Sequence, residues 1–149
     1  MDNPIHVRAF RLKDLDSVME LWLNANRQAH PFISPAHWEQ NLDLVRSLIP
    51  QAEVYVSGAP GMTDGFIGIT GGDYIAGLFV AEQFRGYGIG KKLLDHAKQL
   101  HPLLKLHVYR KNGRAVRFYL REGFTRAAEQ IDSATGELEL LLVWENKDI

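Results

Sequence analysis

The chain has no cysteine among its 149 residues. That excludes disulfides, thiolate nucleophiles and cysteine-ligated metal sites. It has no apolar run near the ~20 residues that a membrane-crossing helix needs. Its start, MDNPIHVRAF, lacks the basic end and apolar stretch of a secretory signal. An excess of one charge is missing too: 17 Lys and Arg against 18 Asp and Glu leave a net charge of −1. Such a balance gives no field for a nucleic acid or a membrane surface. The six histidines show no metal-ligand spacing, so no metal is expected. There is no internal repeat and no low-complexity linker, so residues 1–149 read as a single domain. These absences leave a cytoplasmic enzyme or binding domain as the default, a monomer or homodimer, with no nucleic-acid and no membrane partner.

What is present is an ordinary globular balance, 46% apolar and 23% charged. His6 to Phe10 alternates as a first strand. Leu15, Val18, Met19 and Trp22 recur at helical spacing, and Trp38, Leu42, Val45 and Ile49 repeat the pattern up to Pro50. Pro31 and Pro35 place a loop over 27–36. Strands are expected over Glu53–Ser57 and Phe66–Thr70, with a turn from Gly58 to Gly65 between them, and a further strand ends at Val80. The spacing of Ile89, Leu93, Ala97 and Leu100 predicts a helix, followed by a strand over Leu103–Tyr109, with Leu104, Leu106 and Val108 on one face. A helix over 113–122 stops at Gly123. Phe124–Ile131 and Glu137–Glu145 close a last hairpin. The order β-α-α-β-β-β-α-β-α-β-β predicts an α/β fold with a largely antiparallel sheet.

The most informative stretch is GDYIAGLFVAEQFRGYGIG, residues 72–90. An apolar strand ends at Val80, glycines follow at Gly86, Gly88 and Gly90, and a helix begins. The first N–H groups of a helix have no intrahelical partner, and the helix dipole favours an anion there. Glycines remove the side chains that would hold phosphate oxygens off. A phosphate-bearing ligand is therefore expected. Two common motifs fail on spacing. A nucleotide loop ending at Gly90-Lys91 would need glycine at Arg85 and a hydroxyl at Lys92. A dinucleotide fingerprint would need its third glycine at Lys91 or Leu93.

Arg85-Gly86-Tyr87-Gly88-Ile89-Gly90 does fit [QR]-x-x-G-x-[GA], and NGRAVRFYLREGF follows at residues 112–124. The first resembles the coenzyme A pyrophosphate loop of the GNAT family of N-acetyltransferases. The second resembles that family's N-x-x-A-x-x-F-Y-x-x-x-G-F segment, at Asn112, Ala115, Phe118, Tyr119, Gly123 and Phe124. The element order from about residue 5 to 145 agrees with the family, in its small single-domain bacterial form.

The resemblance implies a GNAT fold: a mixed, mostly antiparallel sheet of about seven strands and about four helices, with strands splayed at the coenzyme A site. It implies acetyl transfer from acetyl-CoA to a primary amine by direct attack in a ternary complex; an acetyl-cysteine intermediate is impossible here. The acceptor is a small-molecule amine or a protein lysine or N-terminal amine. A coenzyme A-binding sensor, or a degenerate member without turnover, is the alternative. By the same resemblance Leu78, Phe79 and Val80 are the strand residues beside which pantetheine lies, the Leu78 N–H facing the thioester oxygen and Val80 pairing with pantetheine, and backbone N–H groups from Arg85 to Gly90 hold the pyrophosphate.

Tyr119 matches the tyrosine that protonates the departing thiolate, although a core role for its ring fits as well. Asn112 matches a residue at the cofactor cleft; an N-cap role is equally compatible. Tyr74 stands where some members carry a glutamate base. His30, in the loop bordering the acceptor entrance, is the candidate contributor to proton removal, against an ordinary structural role. The basic run Lys105, Arg110, Lys111, Arg114, Arg117, Arg121 and Arg126 is either a solvated face or, at one or two positions, a phosphate contact.

Overall fold

The computed structural model describes residues 5–148. One sheet runs β1 (Val7–Ala9), β2 (Glu53–Ala59), β3 (Met62–Thr70), β4 (Tyr74–Val80), β5 (Leu103–Tyr109), β7 (Leu138–Glu145), β6 (Thr125–Ile131) in spatial order. Every neighbouring pair is antiparallel except β4 and β5, which are parallel. Helices α1 (Leu15–Ala29), α2 (Pro35–Gln40) and α3 (Leu42–Leu48) precede β2; α4 (Ile89–Leu100) and α5 (Gly113–Arg121) follow β4 and β5.

Two cores flank the sheet. One joins α1 to β2 and β3 through Val18, Leu21, Val56 and Phe66. The other joins α4 and α5 to the sheet through Leu93, Leu94, Leu104, Tyr119 and Leu142. At about 1.5–3 kcal/mol for each fully buried aliphatic side chain, these cores dominate the fold's stability.

The strand count agrees with expectation, and the helix count is five rather than about four. The difference lies at Asn41. Its side-chain amide donates to the His37 carbonyl at 2.7 Å, and its backbone N–H to the Trp38 carbonyl at 3.2 Å. This local competition splits one expected helix into α2 and α3. Helix α1 also runs through residues 27–29, so the loop expected from 27 starts at His30.

The turn expected over Gly58–Gly65 is shorter. β3 begins at Met62, and Gly65 sits inside it opposite Val80. A Cβ at Gly65 would lie 2.8 Å from Ile89 Cγ2, so this glycine serves the close approach of α4, not a turn.

Asp14, fully buried, ties the N-terminal elements together. It accepts two bonds from the Arg8 guanidinium at 2.8 and 2.9 Å, and one each from the Arg11 and Gly61 N–H groups. The Arg8 bond above all holds its carboxyl far below the usual carboxylate range.

Candidate active site

The site is an opening in the sheet. β4 and β5 pair only at Tyr74 with Lys105, where the Lys105 N–H also donates to the Asp73 carbonyl at 2.9 Å. Beyond that point they diverge. The cause is visible in β4: Gly77 opposes Gly68 while Ile75 opposes Ile69, so Ala76 is an extra, bulged residue. Past the bulge the ladder with β3 has a definite parity. The Ala81 N–H donates to the Asp64 carbonyl at 2.8 Å. The alternation of antiparallel pairs then turns Phe79 toward β3 and the polar groups of Leu78 and Val80 into the gap. The Arg85 guanidinium reaches the Val80 carbonyl from that side, Nε donating at 3.3 Å.

Because the sheet is open here, side chains from both of its faces meet. A wide cleft of about 950 Å³ lies toward α4 and α5. A narrower pocket of about 380 Å³ lies toward α1 and α2. His30, Leu78, Phe79, Asn112, Ala115 and Tyr119 line both.

The wide cleft carries Gly86, Gly88, Ile89 and Gly90 at its floor. Gly86 and Gly88 have φ of 88° and 86°, a region that side chains disfavour. A Cβ on either would meet nothing within 4 Å, so open space lies above them. Gly88 is the N-cap of α4, so Ile89 and Gly90 already belong to its first turn. The Tyr87 side chain is 70% exposed and does not join the cleft. From the basic run, Lys111, Arg114, Arg117 and Arg121 do join it, with Lys91 from α4. Lys105 and Arg126 lie outside it, paired with Asp73 at 3.4 Å and with Glu129; within it Lys91 and Arg121 pair with Glu122, which also lines the cleft, and Lys111 pairs with Glu137. Free first-turn N–H groups, uncrowded glycines, several cations and unpaired strand groups are the donor set that a long anionic cofactor requires. Among the described residues no group of three or more metal-ligating side chains occurs.

Tyr119 is 6% exposed, its ring against Phe118 and Phe124. Among the described residues no group hydrogen-bonds its hydroxyl, and burial pushes the phenol well above its ordinary pKa. Asn112 caps α5: its Oδ1 accepts from the Ala115 N–H at 3.3 Å. Its Nδ2 lies 3.4 Å from His30 Nε2. Thus the capping residue of α5 also reaches the C-terminal end of α1.

His30 is buried, stacked on Trp38 at 5.1 Å and edge-on to Phe32 and Tyr109. Its Nδ1 faces the Asn26 carbonyl at 2.9 Å, which fixes that nitrogen as the donor and leaves Nε2 with the lone pair. Burial lowers its pKa, against the Asn26 bond, and His37 nearby adds to the lowering. The unfolded chain takes up this proton near pH ~6.5 and the folded one only below it. Stability from His30 is therefore complete above about pH 6.5 and falls as pH drops through the folded value. Urea melts between pH 5 and 8 should show a steeper acid loss in wild type than in His30→Ala. Parallel curves would mean that His30 is not held neutral.

The narrower pocket brings Tyr74, Trp22 and Trp38 together with His107, Tyr109 and Glu139, which the sequence reading did not select. Tyr74 Oη and His107 Nδ1 are 2.8 Å apart. Tyr109 donates to Asp132 Oδ2 at 2.6 Å, and Glu139 stands beside them on β7, opposite Tyr109. Trp22 and Trp38 complete the wall. No Lys or Arg lines this pocket. The available signal was the second face of β5, where Lys105, His107 and Tyr109 alternate with the apolar residues.

Residues 50–126 match the family model described as acetyltransferase (GNAT) domain. The chain is 37% identical over 119 residues to peptidyl-lysine N-acetyltransferase YiaC of Escherichia coli, covering 79% of this chain and 82% of that protein. The solution structure of apo YjaB from Escherichia coli superposes with a TM-score of 0.83 at 28% identity, covering 95% and 98% of the two chains. PaiA N-acetyltransferase from Thermoplasma acidophilum, solved in complex with coenzyme A, shares the fold with a TM-score of 0.78 at 18% identity, covering 96% and 99%. The activity that goes with these matches is acetyl transfer from acetyl-CoA to an amine nitrogen. With the glycine loop, the splayed strands and the Asn112–Phe124 segment in place, the chain belongs to the GNAT family of acetyltransferases.

Proposed function

We propose that this chain acetylates the ε-amine of protein lysines by direct attack in a ternary complex. The observation that carries the reading is the opening between β4 and β5. It joins a cation-rich cleft to a pocket lined by Glu139 and aromatic rings with no Lys or Arg, and both meet at Leu78 and Tyr119. An anionic cofactor suits the first compartment, and a cationic acceptor the second. The lysine acceptor is supported by the named activity of YiaC and by that charge segregation.

Acetyl-CoA supplies a thioester that an unprotonated amine can attack. The chain's part is binding, orientation and proton movement. Backbone N–H groups at Gly86–Gly90 and the cations of α5 hold phosphates. The gap-facing groups of Val80 pair with the pantetheine arm, displacing Arg85 from the Val80 carbonyl, while Phe79 packs at its side. The Leu78 N–H polarises the acyl oxygen. Tyr119 gives its hydroxyl proton to the leaving sulfur. His30, with both ring nitrogens engaged, holds Asn112 and the pocket wall.

Acetyl-CoA should raise the melting temperature, and ATP and NAD should not. A ligand at 100 times its Kd adds about 2.7 kcal/mol to the folded state. Incubation with acetyl-CoA and a panel of lysine peptides and small amines, followed by free-thiol release, then tests turnover. A shift with ATP or NAD alone would overturn the cofactor assignment. Acetyl-CoA binding without thiol release would make the chain a coenzyme A sensor, and release with small amines alone would move the acceptor away from protein lysine.

A further inference from the structure

A lysine side chain arrives as an ammonium and must lose a proton before it can attack. The strand position that carries a carboxylate in some family members holds Tyr74 here, and a neutral phenol is a poor proton acceptor. His30 has its Nδ1 on the Asn26 carbonyl and its Nε2 against Asn112. One other imidazole lines the pocket. His107, on β5, reaches across the point where β5 leaves β4, and its Nδ1 lies 2.8 Å from Tyr74 Oη.

We propose that His107 is the proton acceptor for the incoming amine, reached through the hydroxyl of Tyr74. The proposal rests on the amine-acceptor reading above. In the tautomer with the His107 proton on Nε2, the Tyr74 hydroxyl donates to Nδ1, and the phenol oxygen can accept from the pocket. Burial chiefly keeps this phenol protonated, against an interaction with the His107 backbone, and the Glu139 charge acts in the same direction as burial.

The ammonium gives a proton to Tyr74 Oη as the Tyr74 proton passes to His107 Nδ1, so the products are a neutral amine, an intact phenol and an imidazolium. The amine nitrogen then forms the C–N bond while the C–S bond breaks. Its second proton is lost as the amide forms and passes through water to the Tyr119 oxygen, which has given its own proton to the leaving sulfur, so Tyr119 ends neutral and His107 returns its proton to solvent. Tyr74 lies four positions before Leu78. At about 3.3 Å per residue, shortened by the bulge, that leaves room for one or two waters between the amine and Tyr74.

The titratable groups that line the pocket with His107 are Tyr74 on β4, Tyr109 on β5, Glu139 on β7 and His30 at the end of α1, with Lys105 on the same face of β5. Lys105 is paired with Asp73, and Tyr109 with Asp132. Glu139, which accepts from Gln130 Nε2 at 2.6 Å, is the carboxylate that lines the pocket.

The test is kcat/KM for a lysine peptide from pH 6 to 10 in wild type, Tyr74→Phe, His107→Ala and His107→Asn. Asparagine offers an amide near the Nδ1 position and cannot take a proton. Each variant should lose about 10²–10⁴-fold at pH 7, and the loss should shrink toward pH ~10, where the lysine deprotonates unaided. Acetyl-CoA affinity and the melting temperature should hold. In proton NMR, the His107 ring resonances should move toward imidazolium positions when butylamine is added to the coenzyme A complex, and should not in Tyr74→Phe. Wild-type kinetics in His107→Asn, an equal loss at every pH, or unmoved His107 resonances would overturn the proposal. A wild-type protein that binds acetyl-CoA but acetylates no peptide would overturn the lysine reading instead, with the butylamine titration still deciding for His107.

Discussion

Gly88→Asp should abolish measurable acetyl-CoA binding and leave the protein folded. Gly88 is the N-cap of α4 with φ of 86°, where a side chain costs roughly 1 kcal/mol and aspartate is among the least penalised. Aspartate is also a favoured N-cap residue whose carboxylate accepts first-turn N–H bonds. It would satisfy the very donors assigned to the pyrophosphate, so stability should change by no more than about 1 kcal/mol.

Binding should change far more. Two unit charges 4 Å apart at an effective dielectric near 20 repel by about 4 kcal/mol, close to a thousandfold in Kd. Gly88→Ala carries the same backbone cost without the charge and should lose much less affinity. Calorimetry on both variants separates the contributions. Near-normal affinity in the aspartate variant would leave the glycines a turn and nothing more.

The glycine turn proposed to hold the cofactor was readable because backbone chemistry writes itself into sequence. Positive φ at Gly86 and Gly88 and an open approach above them demand glycine, and glycines at fixed intervals are visible in a string of letters. Asn112 was readable for the same reason, since an N-cap sits at a set distance from its helix. The acceptor side was not. Its walls come from α1, α2, β4, β5 and β7, and the bond between Tyr74 and His107 spans 33 residues. No local period encodes such a meeting. Even the bulge at Ala76, which opens the sheet, leaves no mark in the sequence. Asp64-Gly65 shows the converse failure: a dipeptide with turn chemistry lies within β3 because α4 needs the missing side chain.

Removing a single oxygen should have a large catalytic effect. Tyr119→Phe is expected to lower kcat by about 10²–10⁴-fold, the usual worth of a general acid, with acetyl-CoA affinity nearly unchanged. The ring packs against Phe118 and Phe124 and loses no neighbour in the change. No described group holds the hydroxyl, so stability should be unaltered or slightly higher, because a buried hydroxyl without a protein partner gives the fold little.

The raised pKa of the phenol does not disqualify it as an acid. The burial that penalises a phenolate also penalises a thiolate beside it, so the proton affinities of the two rise together. A phenol that stays neutral over the whole working pH range is always charged with its proton when the sulfur leaves. The alkaline limb of kcat in wild type should then lie above pH 10 or be missing. Pre-steady-state thiol release is the decisive measurement. A variant that releases coenzyme A at the wild-type rate would make Tyr119 a packing residue and leave the sulfur to take its proton from water.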